Sequence, residues 1–334
     1  MGRPSRPSPS PPVQPKPSHD DIEKGSKRPC HKSKIPPPPP PPKPWKPWLT
    51  PLVFVANTSV FIYTMYVNDC PHTSGTSKCI LYEYLGRYSF QRFKENPLLG
   101  PSYITLKTLG GLDWTQVVEE KEYWRLFSCM WLHAGLIHLL INMLSLLGLG
   151  IRLEHEFGFV RIGPLYMISG FGGSLTSVLS LARKSIVSVG ASGALFGLLG
   201  SMLSELITNW SNYTNKVNTT SSMSSLLVPE PWDLTLCSAL STMLLIICLN
   251  LAIGFLPRVD NSAHIGGFVS GLLAGFVLLM RPQYGYISNK HVPEGYQIKH
   301  KVAKHQVHQY VLFGTSLVLL ITGFAVGLQR LRRP

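Results

Sequence analysis

Four side chains have the types and spacing to do chemistry at a carbonyl group: Ser192, His264, His138 and Asn142. Ser192 lies in Gly190-Ala191-Ser192-Gly193-Ala194-Leu195-Phe196-Gly197. An alcohol is a weak nucleophile near neutral pH and needs a base to take its proton. His264, in Ala263-His264-Ile265-Gly266-Gly267, could be that base, because imidazole titrates near neutrality. His138 and Asn142 stand four apart on one helix face and could donate to a developing oxyanion. Each motif has a plainer reading. The glycines around Ser192 could be a tight helix-packing face with a tolerated serine. His138 and Asn142 could be a polar pair bridging two helices, and His133 could serve only to orient a loop. The Gly-x-Ser-Gly string also matches a nucleophile elbow, but that elbow needs a strand-to-helix turn, and no strand is expected here.

The elements that must position these residues are apolar runs. The chain is 45% hydrophobic and 14% charged, against about 25% charged in soluble proteins. Seven spans are expected, near 49–67, 131–151, 163–181, 186–207, 234–255, 263–280 and 311–328; each is long enough to cross a hydrocarbon core of about 30 Å as a helix. The fold class is therefore an all-α membrane protein, in contact with the lipid bilayer. Glycines at 190, 193, 197 and 200, and at 267, 271 and 275, form stripes at helical spacing on spans four and six. Such stripes let two helix backbones approach closely, which would bring His264 beside Ser192. A histidine in a transmembrane run is costly and is a functional candidate by default.

Cations set the orientation. The Lys/Arg-rich tail ahead of span one is expected in the cytosol. So are Arg152 and Arg161, and the segment with Arg281, Lys290, Lys299, Lys301 and Lys304. Spans two, four and six then enter from the lumenal or extracellular face. Ser192, His264 and His138 would lie at similar depth in one leaflet, as a shared water-accessible cavity requires. The sequons at Asn209, Asn212 and Asn218 would face the cytosol and stay unglycosylated. The net charge of +14 does not indicate a nucleic-acid partner, because the cations sit in the tail and one late stretch, with no basic-aromatic face.

Residues 1–47 lack the apolar core of a signal peptide and are rich in Pro, Ser, Lys and Arg, so this tail is expected to be disordered. Its Pro36–Pro42 run reads as a polyproline II rod, either a stiff spacer or a docking site for a Pro-binding module. The six cysteines show no zinc pattern, and no metal or cofactor is expected. Cys237 and Cys248 fall in an apolar run and read as packing residues. Cys70 and Cys79 could pair if their loop is lumenal or extracellular.

Taken together, Trp124-Arg125, the His133/His138/Asn142 spacing, Gly190/Ser192/Gly193 and Ala263-His264/Gly267 resemble, in this order, the motifs of the rhomboid family. Glu154, Gly158 and Arg161 resemble that family's Glu-x3-Gly-x2-Arg pattern. The resemblance covers about residues 48–280. It implies a six-helix catalytic core with a Ser192–His264 dyad and no third carboxylate. It also implies an oxyanion hole from His138, Asn142 and the Ser192 N–H, with Phe196 packed on the base. A linker over 281–310 and an extra seventh helix over 311–328 resemble the secretase-type eukaryotic subgroup, and the Asn96-Pro97-Leu98-Leu99-Gly100-Pro101 string resembles plant members. The expected activity is serine-protease cleavage of single-pass membrane proteins, in a Golgi or other secretory-pathway membrane. The rival expectation is a non-catalytic membrane chaperone or cargo-sorting protein on the same scaffold. A transporter is a weaker rival, since no internal repeat is visible.

Overall fold

The structure is a computed structural model that describes residues 45–76, 79–180, 186–209, 261–283 and 304–333. The expected fifth span, the Pro36–Pro42 run, Cys237, Cys248 and the sequons at Asn212 and Asn218 lie outside the described residues. The described residues hold six long helices: α1 (Leu49–Asn68), α2 (Leu136–Phe157), α3 (Phe159–Ser180), α4 (Ser192–Thr208), α5 (Ser262–Leu278) and α6 (Val307–Arg332). By length and composition α1, α2, α3 and α6 can each cross a membrane, and α4 and α5 are shorter apolar helices. Among the described residues there is no strand beyond isolated bridges. Leu52, Val55, Ile62, Leu140, Leu144, Val318, Leu319 and Ile321 point outward from α1, α2 and α6, as side chains facing lipid should. The chain is an all-α, multi-pass membrane protein.

Four helix starts differ from the sequence expectation: α3 and α6 begin four residues early, at Phe159 and Val307, and α2 and α4 begin late. α2 begins at Leu136 rather than near Trp131 because Leu132–Gly135 runs as extended loop, and Leu136 and Ile137 donate their N–H groups to Leu99 O and Leu98 O at 2.8 and 3.2 Å. α4 begins at Ser192 rather than near Ile186. The residues before it pair with the long first loop, where Leu112 and Ser188 exchange two backbone hydrogen bonds of 2.9 Å. Apolar Ile186, Val187 and Val189 look the same to a hydropathy count whether helical or extended.

The first loop is tied down at several points. Cys70 and Cys79 are disulfide-bonded. Buried Arg125 donates to Lys107 O and Gly111 O at 2.6 and 3.0 Å, and pairs with Glu122. The start of α1 is fixed from α2. The fully buried Glu154 carboxylate accepts the N–H groups of Trp48, Leu49 and Thr50 at 2.7–2.9 Å, and the Thr50 hydroxyl at 2.8 Å. These N–H groups have no partner inside their own helix, and a negative charge there also suits the helix dipole.

The glycine stripes bring α4 and α5 together side by side and in parallel. A methyl group built on Gly267 would meet the Gly193 carbonyl, and one on Gly271 would meet the Gly197 backbone. One on Gly275 would meet Ser204 Oγ and the Ser201 backbone. α3 runs against them in the opposite sense, with Gly172 against Ser270 and Gly173 wedged between Ala263 O and Gly193. α6 is pinned at its N-terminal end by Gln309. This buried amide donates to Arg281 O at 2.9 Å, and to Thr208 O and Asn209 Oδ1 at 3.3 Å each. Asn209 is itself buried and donates to Glu205 Oε1 at 3.2 Å and Leu279 O at 3.3 Å.

Candidate active site

Ser192 is the first residue of α4, reached through an extended segment and a sharp turn. Gly190 makes that turn with φ of 125°, a conformation that residues with a Cβ rarely adopt. A Cβ there would also strike the His138 ring. Its N–H is held by Cys129 O at 2.9 Å. The serine thus stands at the mouth of a helix after an extended segment tied by the isolated Leu112–Ser188 bridge; as the sequence leads one to expect, no strand precedes it among the described residues.

Across the glycine-lined contact, His264 occupies the first turn of α5. Its Nε2 lies 2.9 Å from Ser192 Oγ, and both residues are buried. The ring stacks on Phe196, centroid to centroid 4.5 Å and 11° from parallel. That stacking opposes rotation about the His264 Cβ–Cγ bond, so the nitrogen keeps its aim at the hydroxyl. A serine proton can pass directly to this nitrogen.

His138 and Asn142 reach the same point from α2. A Cβ on Gly190 would lie 2.9 Å from His138 Nε2 and 3.7 Å from Asn142 Nδ2, so both nitrogens converge on the turn that carries Ser192. Asn142 is fully buried and its side chain makes no hydrogen bond among the described residues. Such a group costs about 1–3 kcal/mol, which a bound oxygen would offset. His133, in the loop ahead of α2, is fully buried and edge-on to His138 at 5.4 Å. Burial lowers its pKa well below the usual imidazole range, so it stays neutral.

Ser192, His138 and His264 all sit in the first turns of α4, α2 and α5. The shared depth expected from the sequence corresponds to one end of the helix cluster. Among the described residues the nearby thiol is no rival nucleophile. Cys129 is buried against Ser174 Oγ at 3.2 Å, and burial pushes its thiol up to about 11. Among the described residues no cluster of His, Cys, Asp or Glu could hold a metal ion. Two residues contribute in ways that their types do not announce: Gly190, which turns the chain, and Asn96, which bonds to Ala134 O beside His138. The Asn-Pro and Gly-Pro pairs at 96–97 and 100–101 signal a turn, but not what that turn touches.

Comparison with known proteins gives the same assignment for the scaffold. The family model for the Rhomboid domain matches residues 120–281. RHOMBOID-like protein 5 of Arabidopsis thaliana is 53% identical over 325 residues, covering 97% of this chain and 94% of that protein. RHOMBOID-like protein 1 of the same plant is 55% identical over 285 residues, covering 85% of this chain and 67% of that protein. A protein named Inactive RHOMBOID-like protein 8, also from Arabidopsis thaliana, is 43% identical over 236 residues, 70% of this chain and 59% of its own length. With helix order, motif order and near full-length similarity in agreement, this chain belongs to the rhomboid family.

Proposed function

We propose that this protein is an intramembrane serine protease with Ser192 as nucleophile and His264 as general base. The observation that carries the reading is the 2.9 Å contact between His264 Nε2 and Ser192 Oγ, with the imidazole held flat on Phe196. In the first step Ser192 Oγ bonds to the scissile carbonyl carbon while its proton moves to His264 Nε2. The carbonyl oxygen takes the negative charge, steadied by His138, Asn142 and the Ser192 N–H. His264 then gives its proton to the leaving amine as the C–N bond breaks, which leaves an acyl-serine. Water, deprotonated by the same imidazole, splits that ester and restores the enzyme.

The proposed substrates are single-pass membrane proteins cut near the lumenal or extracellular end of their span. A helix hides its carbonyls in hydrogen bonds, so a substrate must unwind locally, and Gly, Pro or small residues should mark the cut. In this reading residues 48–280 form the catalytic core and α6 an addition; the cytosolic linker expected over 281–310 ends by 306, because α6 already begins at Val307. The proposed location is a Golgi or other secretory-pathway membrane, supported by the Cys70–Cys79 disulfide, which suits an oxidising compartment. A second reading, a non-catalytic chaperone or sorting factor, draws support from the 43% identical relative named inactive.

A serine-directed fluorophosphonate probe separates the two. Wild-type protein in proteoliposomes should label and should cleave a co-reconstituted single-pass protein. Ser192→Ala and His264→Ala should do neither while remaining inserted, and the double variant should be little worse than either single one. Substantial cleavage by well-inserted Ser192→Ala protein would remove the assignment. An inert wild type would favour the second reading.

A further inference from the structure

We propose that Asn96 is a positioning residue for the oxyanion hole: it holds the Ala134 backbone so that His138 presents a protonated Nε2 to the site. The proposal rests on the protease reading for its catalytic consequence, but not for its structural content.

Asn96 uses its whole amide. Its Nδ2 donates to Pro101 O at 2.8 Å and to Ala134 O at 2.7 Å, and its Oδ1 accepts the Leu98 N–H at 3.0 Å. The first and last of these bonds close the 96–101 turn on itself; the second reaches 38 residues along the chain. The turn then grips the loop before α2 at further points. Leu99 O and Leu98 O accept from Leu136 and Ile137 N–H at 2.8 and 3.2 Å. Gly100 lies directly against Ala134 O, and Gly135 against Leu98 O, so any Cβ at either position would collide with backbone. Leu99 sits at φ of 55°, a left-handed conformation that a leucine keeps only when its surroundings enforce it.

What the turn holds is one step from the chemistry. Ala134 N–H donates to His138 Nδ1 at 3.4 Å. An imidazole nitrogen that accepts a hydrogen bond carries no proton, so a neutral His138 must carry its proton on Nε2. Nε2 is the atom that faces Gly190 and the serine turn. An oxyanion needs a donor there, and the opposite tautomer would offer a lone pair instead. Asn96 thus fixes one peptide group of Ala134, the neighbouring N–H fixes the tautomer, and the tautomer decides whether His138 helps or hinders.

Asn96→Asp keeps the size and the acceptor but removes both donated bonds. In proteoliposomes it should lower kcat for a single-pass substrate by about 10-fold or more, with KM nearly unchanged, as for a weakened oxyanion donor. In a His138→Ala background the same substitution should cost almost nothing further, because its route to the site is gone. An equal fold-loss in both backgrounds would mean that Asn96 acts by general stabilisation, and would overturn the proposal. A second readout needs no activity. The 15N imidazole spectrum of the purified protein in detergent, assigned with His138→Ala, should show His138 protonated at Nε2. Asn96→Asp should shift that signal toward the other tautomer. Wild-type His138 protonated at Nδ1, or a spectrum unmoved by Asn96→Asp, would overturn the proposal even in a protein that cleaves. If no cleavage is found in any variant, the spectrum still decides on Asn96, and the failure belongs to the protease reading.

Discussion

The two sides of α5 are built by opposite means. Toward α4 the contact consists of absent side chains: Gly193, Gly197 and Gly200 meet Gly267, Phe268 and Gly271 backbone to backbone. α6 carries Gly314 and Gly323 facing open space, presents many apolar side chains outward, and is fastened by the amide of Gln309 at one end. The first contact tolerates no displacement, because carbonyls cannot rotate away as side chains can. The second combines a clasp at the end of α4 opposite Ser192 with side-chain packing of Phe324 and Gly327 on α3. Close packing runs along α3, α4 and α5, which hold the 2.9 Å Ser192–His264 contact, and is looser along much of α6.

The sharpest way to break this contrast is to place the same side chain on each helix. Gly267→Val drives a branched group into the Gly193 carbonyl. Overpacking of this kind costs about 1–3 kcal/mol, and a shift of about 1 Å between base and nucleophile can cost on the order of 100-fold in rate. The variant should insert but lose cleavage and probe labelling, while Gly323→Val, with open space around it, should leave both intact. Equal tolerance of the two would remove the distinction. Asn142→Ala tests the α2 side of the site. Turnover should fall about 10- to 1,000-fold without vanishing, since His138 and the Ser192 N–H remain; full activity at limiting enzyme would make Asn142 a packing residue.

Gln309→Leu probes the clasp. It strips donors from Thr208 O, Asn209 Oδ1 and Arg281 O, a loss worth about 1–3 kcal/mol. Melting in detergent should fall by a few degrees with kcat essentially unchanged, and a kcat loss matching that of Gly267→Val would make α6 part of the rigid unit. The smallest effect is expected at Asn209. Its amide is buried and occupied by Glu205 and Leu279, so glycosidase digestion should release nothing from this position. A digestible glycan there would contradict both the packing of α4 and the cytosolic placement expected for its C-terminal end.

Much of this was legible in the sequence, because the membrane imposes a strong code. The α1 run, Leu49–Asn68, falls within one residue of its expected limits, and the glycines at 193, 197 and 200 meet α5 as their spacing implied, whereas Gly190, expected in the same stripe, lies in the turn before α4 and faces His138. Where the chain is apolar but not helical, the code fails. Trp131–Gly135 and Ile186–Val189 satisfy a hydropathy window equally well as loop, and only their long-range partners stop the helices at Leu136 and Ser192. Asn96 and Glu154 were opaque for a related reason. Each works by meeting backbone groups of distant residues, Ala134 for the one and Trp48–Thr50 for the other. Backbone groups are the same in every sequence, so nothing in residue type announces such partners.

The 72 residues between Ser192 and His264 also set a clock. A ribosome adding about 5–20 residues per second needs roughly 4–14 s to travel that far. Throughout that interval the nascent chain has a serine without its imidazole. In the proposed mechanism the nucleophile is made early and armed late, so a chain released before α5 begins carries Ser192 but no His264 to activate it.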